Sequence, residues 1–156
     1  MMQIFKESSI AWFENLRKRQ VRAPKIYLRD SGILHGLLGL RGLIEVQSHP
    51  KLGASWEGFA LEQVTSALET RDAYFWATHA GAELDLLVRI GGKHYGFEFK
   101  YGDAPGSTRS MRIAIEDLSL EHLWVVYPGK EEYALDDRMT VSPIAAAPRI
   151  ARALRS

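Results

Sequence analysis

A chain of 156 residues, 46% hydrophobic and 25% charged, carries enough apolar material for one domain core. Its formal net charge of +1 supplies no global field for nucleic acid, so any such binding needs a local patch. With no cysteine, disulfides, thiolate zinc sites, iron–sulfur clusters and thiol catalysis are excluded, and no apolar run approaches the roughly 18 residues of a membrane span.

The opening Met1-Met2-Gln3-Ile4-Phe5-Lys6-Glu7 lacks the apolar centre of a secretory signal, so a soluble, cytoplasmic protein without membrane attachment is expected. Ser8 or Ser9 can cap a helix over 8–20, where Ile10, Phe13 and Leu16 recur at helical spacing. The cations Arg17, Lys18, Arg19, Arg22 and Lys25 suit a solvated helix end better than a phosphate-contacting patch. Pro24 separates this helix from a short strand, Lys25-Ile26-Tyr27-Leu28. Asp30 is placed to cap a second helix, which runs through Leu38 and closes at Gly39. Residues 41–53 read as loop, broken by Pro50 and Gly53, and neither His35 nor His49 has a partner at metal-ligand spacing.

A helix over 55–69, with Ser55 as its cap, aligns Glu57, Leu61, Val64 and Leu68 on one face. A lone carboxylate at the head of an apolar stripe is costly. Glu57 therefore either has a partner or owes its place to the first-turn dipole. Residues 72–79 read as a strand. Gly91-Gly92 then joins two alternating runs, 83–90 and 93–100, as a two-residue hairpin turn in which both central residues need positive φ. Beyond the breakers Gly102 and Pro105, a helix over 107–118 is expected as the crossover to a parallel strand, Leu123-Trp124-Val125-Val126-Tyr127, buried on both faces. One or two minor strands fill 133–144, and the basic stretch 145–156 reads as a frayed or disordered tail. The expected fold class is α/β, a mixed β-sheet flanked by helices with a helix–strand–hairpin–helix–strand core. The expected division is an N-terminal helical or linker segment at 1–40, the sheet domain at 41–144 and the tail at 145–156.

The Gly91-Gly92 turn fixes a register in which Ile90 faces Lys93, Val88 faces Tyr95, Asp85 faces Glu98 and Glu83 faces Lys100. Leu84, Leu86, Val88, Ile90, Tyr95, Phe97 and Phe99 then share a core face, and Glu83, Asp85, Glu98 and Lys100 cluster on the other. Opposed carboxylates repel, and a hard divalent cation that takes one or two carboxylates plus water relieves the repulsion. Asp85, Glu98 and the Phe99 carbonyl are the expected ligands of Mg²⁺ or Mn²⁺. Lys100 is the expected catalytic cation, and Glu57 a further acid in support. Such a set suits phosphodiester hydrolysis by metal-activated water. A glycosidase carboxylate pair fits poorly, because directly opposed strand residues leave no open cleft between them. Trp12, Trp56, Trp76 and Trp124 read as core or interface residues rather than a base-stacking platform.

Asp85 with Glu98-Phe99-Lys100 resembles the D…(D/E)-x-K signature of the PD-(D/E)xK nuclease-like superfamily, with Leu84 where its proline often stands and Glu57 matching its additional helix acid. Four segments, 13–19, 24–34, Trp56-Glu57-Gly58-Phe59 and Gly81-Ala82-Glu83-Leu84-Asp85, together resemble the DUF4143 domain over roughly residues 10–130. That resemblance implies a restriction-endonuclease-like fold and a prokaryotic protein, usually joined to an N-terminal AAA+-like ATPase module. This chain has no G-x-x-x-x-G-K-[ST], so ATP hydrolysis is not expected of it. It reads as a solo domain, a truncated gene or half of a split pair. Two functions follow. One is a Mg²⁺-dependent nuclease-like domain acting on or binding nucleic acid, DNA first. The other is a catalytically silent interaction or regulatory module, with an AAA+-like ATPase partner or self-association through the N-terminal helix.

Overall fold

The computed structural model describes residues 30–70 and 72–156 in full, together with the backbone of two short strands, β1 (Met2–Ile4) and β2 (Ile26–Leu28). These two pair antiparallel, Met2 opposite Leu28. The helix expected over 8–20, with Trp12 and the cations of 17–25, lies outside the described residues.

Helix α1 (Ser31–Leu37) starts as expected, with Asp30 Oδ1 accepting from the backbone N–H groups of Gly32 and Ile33. The stretch expected as loop contains a one-and-a-half-turn helix, α2 (Leu43–Ser48), whose Glu45 carboxylate accepts from the Arg41 N–H. Six residues are too few for hydrophobic periodicity to register. Helix α3 (Leu52–Leu68) begins three residues before Ser55. Ser55 is therefore not the cap: its N–H donates to Lys51 O, and its hydroxyl is buried 2.7 Å from His35 Nε2. His35 thus tethers α1 to α3, a structural role. The predicted stripe holds, since Leu61, Val64 and Leu68 are buried.

The main sheet has six strands in the order β3-β4-β5-β6-β8-β7. They are β3 (Ala73–Ala77), β4 (Glu83–Ile90), β5 (Lys93–Phe99), β6 (Leu120–Tyr127), β7 (Tyr133–Asp136) and β8 (Met139–Pro143). Gly91 and Gly92 have φ of 59° and 81°, and Ile90↔Lys93 through Leu86↔Phe97 pair in the expected register. Helix α4 (Arg109–Asp117), capped by Thr108, carries the chain back so that β6 lies parallel to β5. β8 then pairs parallel with β6, and β7 forms the sheet edge antiparallel to β8.

Both faces of the sheet are covered. On one, α4 places Met111, Ala114 and Ile115 against Leu84, Leu87, Leu123 and Val125. On the other, α3 and α5 (Ala147–Arg155) pack on Leu86, Val88, Phe97, Phe99 and Val126. The expected frayed tail is thus a packed helix. Ala147, Ile150 and Ala151 are buried, and Arg155 pairs with Glu69 at 3.1 Å. Its arginines line the outer side of a strongly one-sided helix, which is why the segment reads as a basic tail when its apolar face is overlooked.

One residue leaves the expected core face of the hairpin. Leu84 lies with Leu87 on the α4 side, not with Leu86 and Val88. The cause is a β-bulge. Tyr74 pairs with Leu87 and Trp76 with Leu84, so Asp85 and Leu86 together oppose Phe75. The extra residue reverses the alternation at Asp85.

Candidate functional site

The bulge and the end of the β4–β5 ladder fall at the same place. Backbone pairing of the hairpin stops at Leu86↔Phe97. One residue further, the Asp85 carboxylate replaces a strand carbonyl, and its Oδ2 accepts the Phe99 N–H at 3.0 Å. Asp85 and Glu98 therefore do not face each other across a regular ladder as the simple register required. On its other side Glu83 pairs with Ala77 of β3, while the hairpin ladder ends before it reaches Glu83 and Lys100. From Lys100 the chain leaves the hairpin and follows β6, its N–H donating to Val126 O.

The expected acidic residues nevertheless converge. Asp85 is 6% exposed and Glu98 4% exposed, both on strands at the heart of the sheet. Lys100, the residue just past β5, reaches back two residues to place Nζ 2.6 Å from Glu98 Oε1. Burial alone would lower the Lys100 pKa. The fields of Glu98, Asp85 and Glu57, with the Glu98 hydrogen bond, outweigh that effect and hold it above its usual value. Glu57, on α3, thus acts on the same ammonium as the two strand acids. Because α3 starts at Leu52, Glu57 sits in the second turn, where the helix dipole has faded. The first-turn explanation for Glu57 no longer applies, and proximity to Lys100 takes its place.

The donors are hard oxygens, as Mg²⁺ prefers, and burial of two carboxylates beside a single lysine suits a divalent cation. Among the described residues, no group of three His, Cys, Asp or Glu side chains is gathered for a metal. A cation here would use Asp85, Glu98 and the Phe99 carbonyl, with water completing its shell. Phe99 also contributes through its N–H, which orients Asp85. The hairpin register did not reveal that role, since it arises only where pairing breaks down.

Two aromatic residues neighbour the set in sequence, Trp56, read above as core or interface, and Tyr101, which the sequence left unassigned. Trp56 precedes Glu57 and Tyr101 follows Lys100, and their rings meet edge-on with centroids 6.0 Å apart. Trp76 is fully buried, and Trp124 stacks on Phe97 at 5.1 Å, both in core roles as expected. His94 is tied by Nδ1 to Leu118 O, and Arg89 is exposed near the turn.

The fold is a mixed α/β sheet sandwiched between helices, with an acid–lysine cluster at the strand ends. The model of the domain of unknown function DUF4143 matches residues 52–147, and the chain belongs to that family. The match runs from the first turn of α3 to the start of α5. The chain is 49% identical over 132 residues to Uncharacterized protein Rv2008c of Mycobacterium tuberculosis and, equally, to Uncharacterized protein Mb2031c of Mycobacterium bovis. Each alignment covers 85% of this chain and 30% of the relative. The chain thus spans under a third of the length of these relatives. No helix among the described residues is long and apolar enough to cross a membrane.

Proposed function

We propose that this domain is a Mg²⁺-dependent nuclease-like module of the PD-(D/E)xK type, with a restriction-endonuclease-like sheet, acting on nucleic acid. The convergence of Asp85, Glu98, Lys100 and Glu57 at the ends of β4 and β5 carries the reading. When bound, the metal would supply Lewis acidity and water of lowered pKa. The Phe99 N–H fixes Asp85, so a ligand oxygen is held without an ordering cost at binding. Lys100 stays cationic across the neutral range and would stabilise charge building on the phosphoryl oxygens as water adds and the bridging P–O bond breaks. Glu98 holds that ammonium by a direct ion pair, and the charge of Glu57 adds to the field that keeps it protonated.

A second reading rests on a separate observation. Helices α1 and α2 expose Ile33, Leu37, Leu43 and Ile44. Large apolar side chains left open to solvent suit an interaction surface. A catalytically silent module that docks an ATPase partner, or a second copy, would use such a surface.

Calorimetric titration of Mg²⁺ and Mn²⁺ separates the two. The nuclease-like reading expects binding by wild type and its loss in Asp85→Asn. Metal-dependent cleavage of labelled DNA should then vanish in Lys100→Ala while the fold persists. No heat at millimolar metal in wild type, with or without DNA, would refute the reading and favour the silent module.

A further inference from the structure

We infer that this site takes an unpaired nucleotide, with a base stacked on the aromatic group formed by Trp56, Phe59 and Tyr101 and its phosphodiester directed to the Asp85–Glu98–Lys100 cluster. The inference rests on the nuclease-like reading and narrows its substrate to single-stranded or end-frayed nucleic acid.

Trp56 contacts Phe59 at 5.8 Å and Tyr101 at 6.0 Å between ring centroids. Trp56 packs against the core on the α3 side of the sheet, so it is a fixed support. The other two rings are open to solvent, Tyr101 at 45% and Phe59 at 38% exposure. Both belong to segments that carry the cluster. Tyr101 follows Lys100 directly, and Phe59 lies two residues after Glu57. Exposed rings on a packed aromatic support, beside a cation, are the elements of a stacking platform.

Charge decides between strand types. Duplex binding draws mainly on many phosphate contacts and counterion release. This chain carries a net charge of only +1, and its cluster sets three carboxylates around one lysine. Little electrostatic drive is left for a rigid duplex. Base stacking needs no net charge, but it requires a base face, which only an unpaired nucleotide offers.

The test is fluorescence anisotropy with a labelled oligothymidylate and a blunt duplex of equal length, in the Asp85→Asn background so that bound strand is not cut. The oligothymidylate should bind more tightly than the duplex, with a shallow salt dependence. Tyr101→Ala should weaken it roughly five-fold to a hundred-fold, and Tyr101→Phe should not. Phe59→Ala gives an independent second variant at an exposed ring. Preference for the duplex, or wild-type affinity in both alanine variants, would overturn the inference. So would a dimer by light scattering that Phe59→Ala dissociates, since a protein surface would then be the occupant. Metal titration of wild type tells the two failures apart. Retained metal binding without strand binding sinks the platform and leaves the nuclease-like reading. Tyr101-dependent strand binding without metal binding does the reverse.

Discussion

Replacing Lys100 with methionine removes one charge and keeps most of the stem. Its ammonium lies 2.6 Å from a carboxylate that is 5% exposed, while Lys100 itself is 41% exposed. Losing one partner of a fully buried pair costs about 3–5 kcal/mol, and an exposed pair contributes about 0–1 kcal/mol. Water reaches Nζ but barely reaches Glu98, so the expected loss is about 1–3 kcal/mol, or roughly 3–10 °C in a domain of this size. Glu98→Gln in the same background should recover part of it, because the buried charge left behind is then gone. The pH dependence follows from the raised lysine pKa. The stabilisation is fully present below the ordinary value of 10.5 and is lost as pH rises through the folded-state value. Urea unfolding of wild type, both single variants and the double variant measures the coupling. Lys100→Met within about 0.5 kcal/mol of wild type, with no coupling to Glu98, would refute the account of the cluster as a buried charge held by one lysine.

Two further outcomes test the packing around it. Gly96→Ala would set a Cβ 2.7 Å from Leu120 Cδ1 and 3.3 Å from Leu84 Cδ2. Overpacking of about 1–3 kcal/mol, less the gain of about 0.4–1 kcal/mol from a stiffer unfolded chain, predicts a lower urea midpoint; an unchanged or higher one contradicts the close packing of β5 against the α4 side. Burial lowers the His122 pKa below 6.5, against the opposing pull of Asp136, and its Nε2 lies 2.9 Å from Thr140 Oγ1. The unfolded chain therefore binds the extra proton first, and stability should fall as pH drops from about 6.5 through the lowered value. Thermal unfolding at about pH 7.5 and 5.5 should show a smaller acid loss in His122→Gln than in wild type, and an equal loss in both would dismiss His122 as a contributor.

Some of this architecture is written in neighbouring residues. Gly91-Gly92 with flanking alternation fixes the hairpin, because positive φ and period-two burial are local properties. The same holds for Asp30 capping α1 and for the apolar run that makes β6 a central strand. Glu98 and Lys100 share a face because they stand two residues apart. Other features were decided only when distant segments met. The bulge at Asp85 depends on how β3 pairs with β4, and it turned Leu84 away from the face that alternation assigned to it. Hydrophobic burial drew 147–155 onto α3 as a helix, although its three arginines made the segment read as a basic tail. Insertion of β8 between β6 and β7 is a matter of sheet topology that no local pattern carries. Glu57 lies more than forty positions from Lys100. Packing of α3 on the sheet brings their charges together, since electrostatic coupling depends on distance in space and not along the chain.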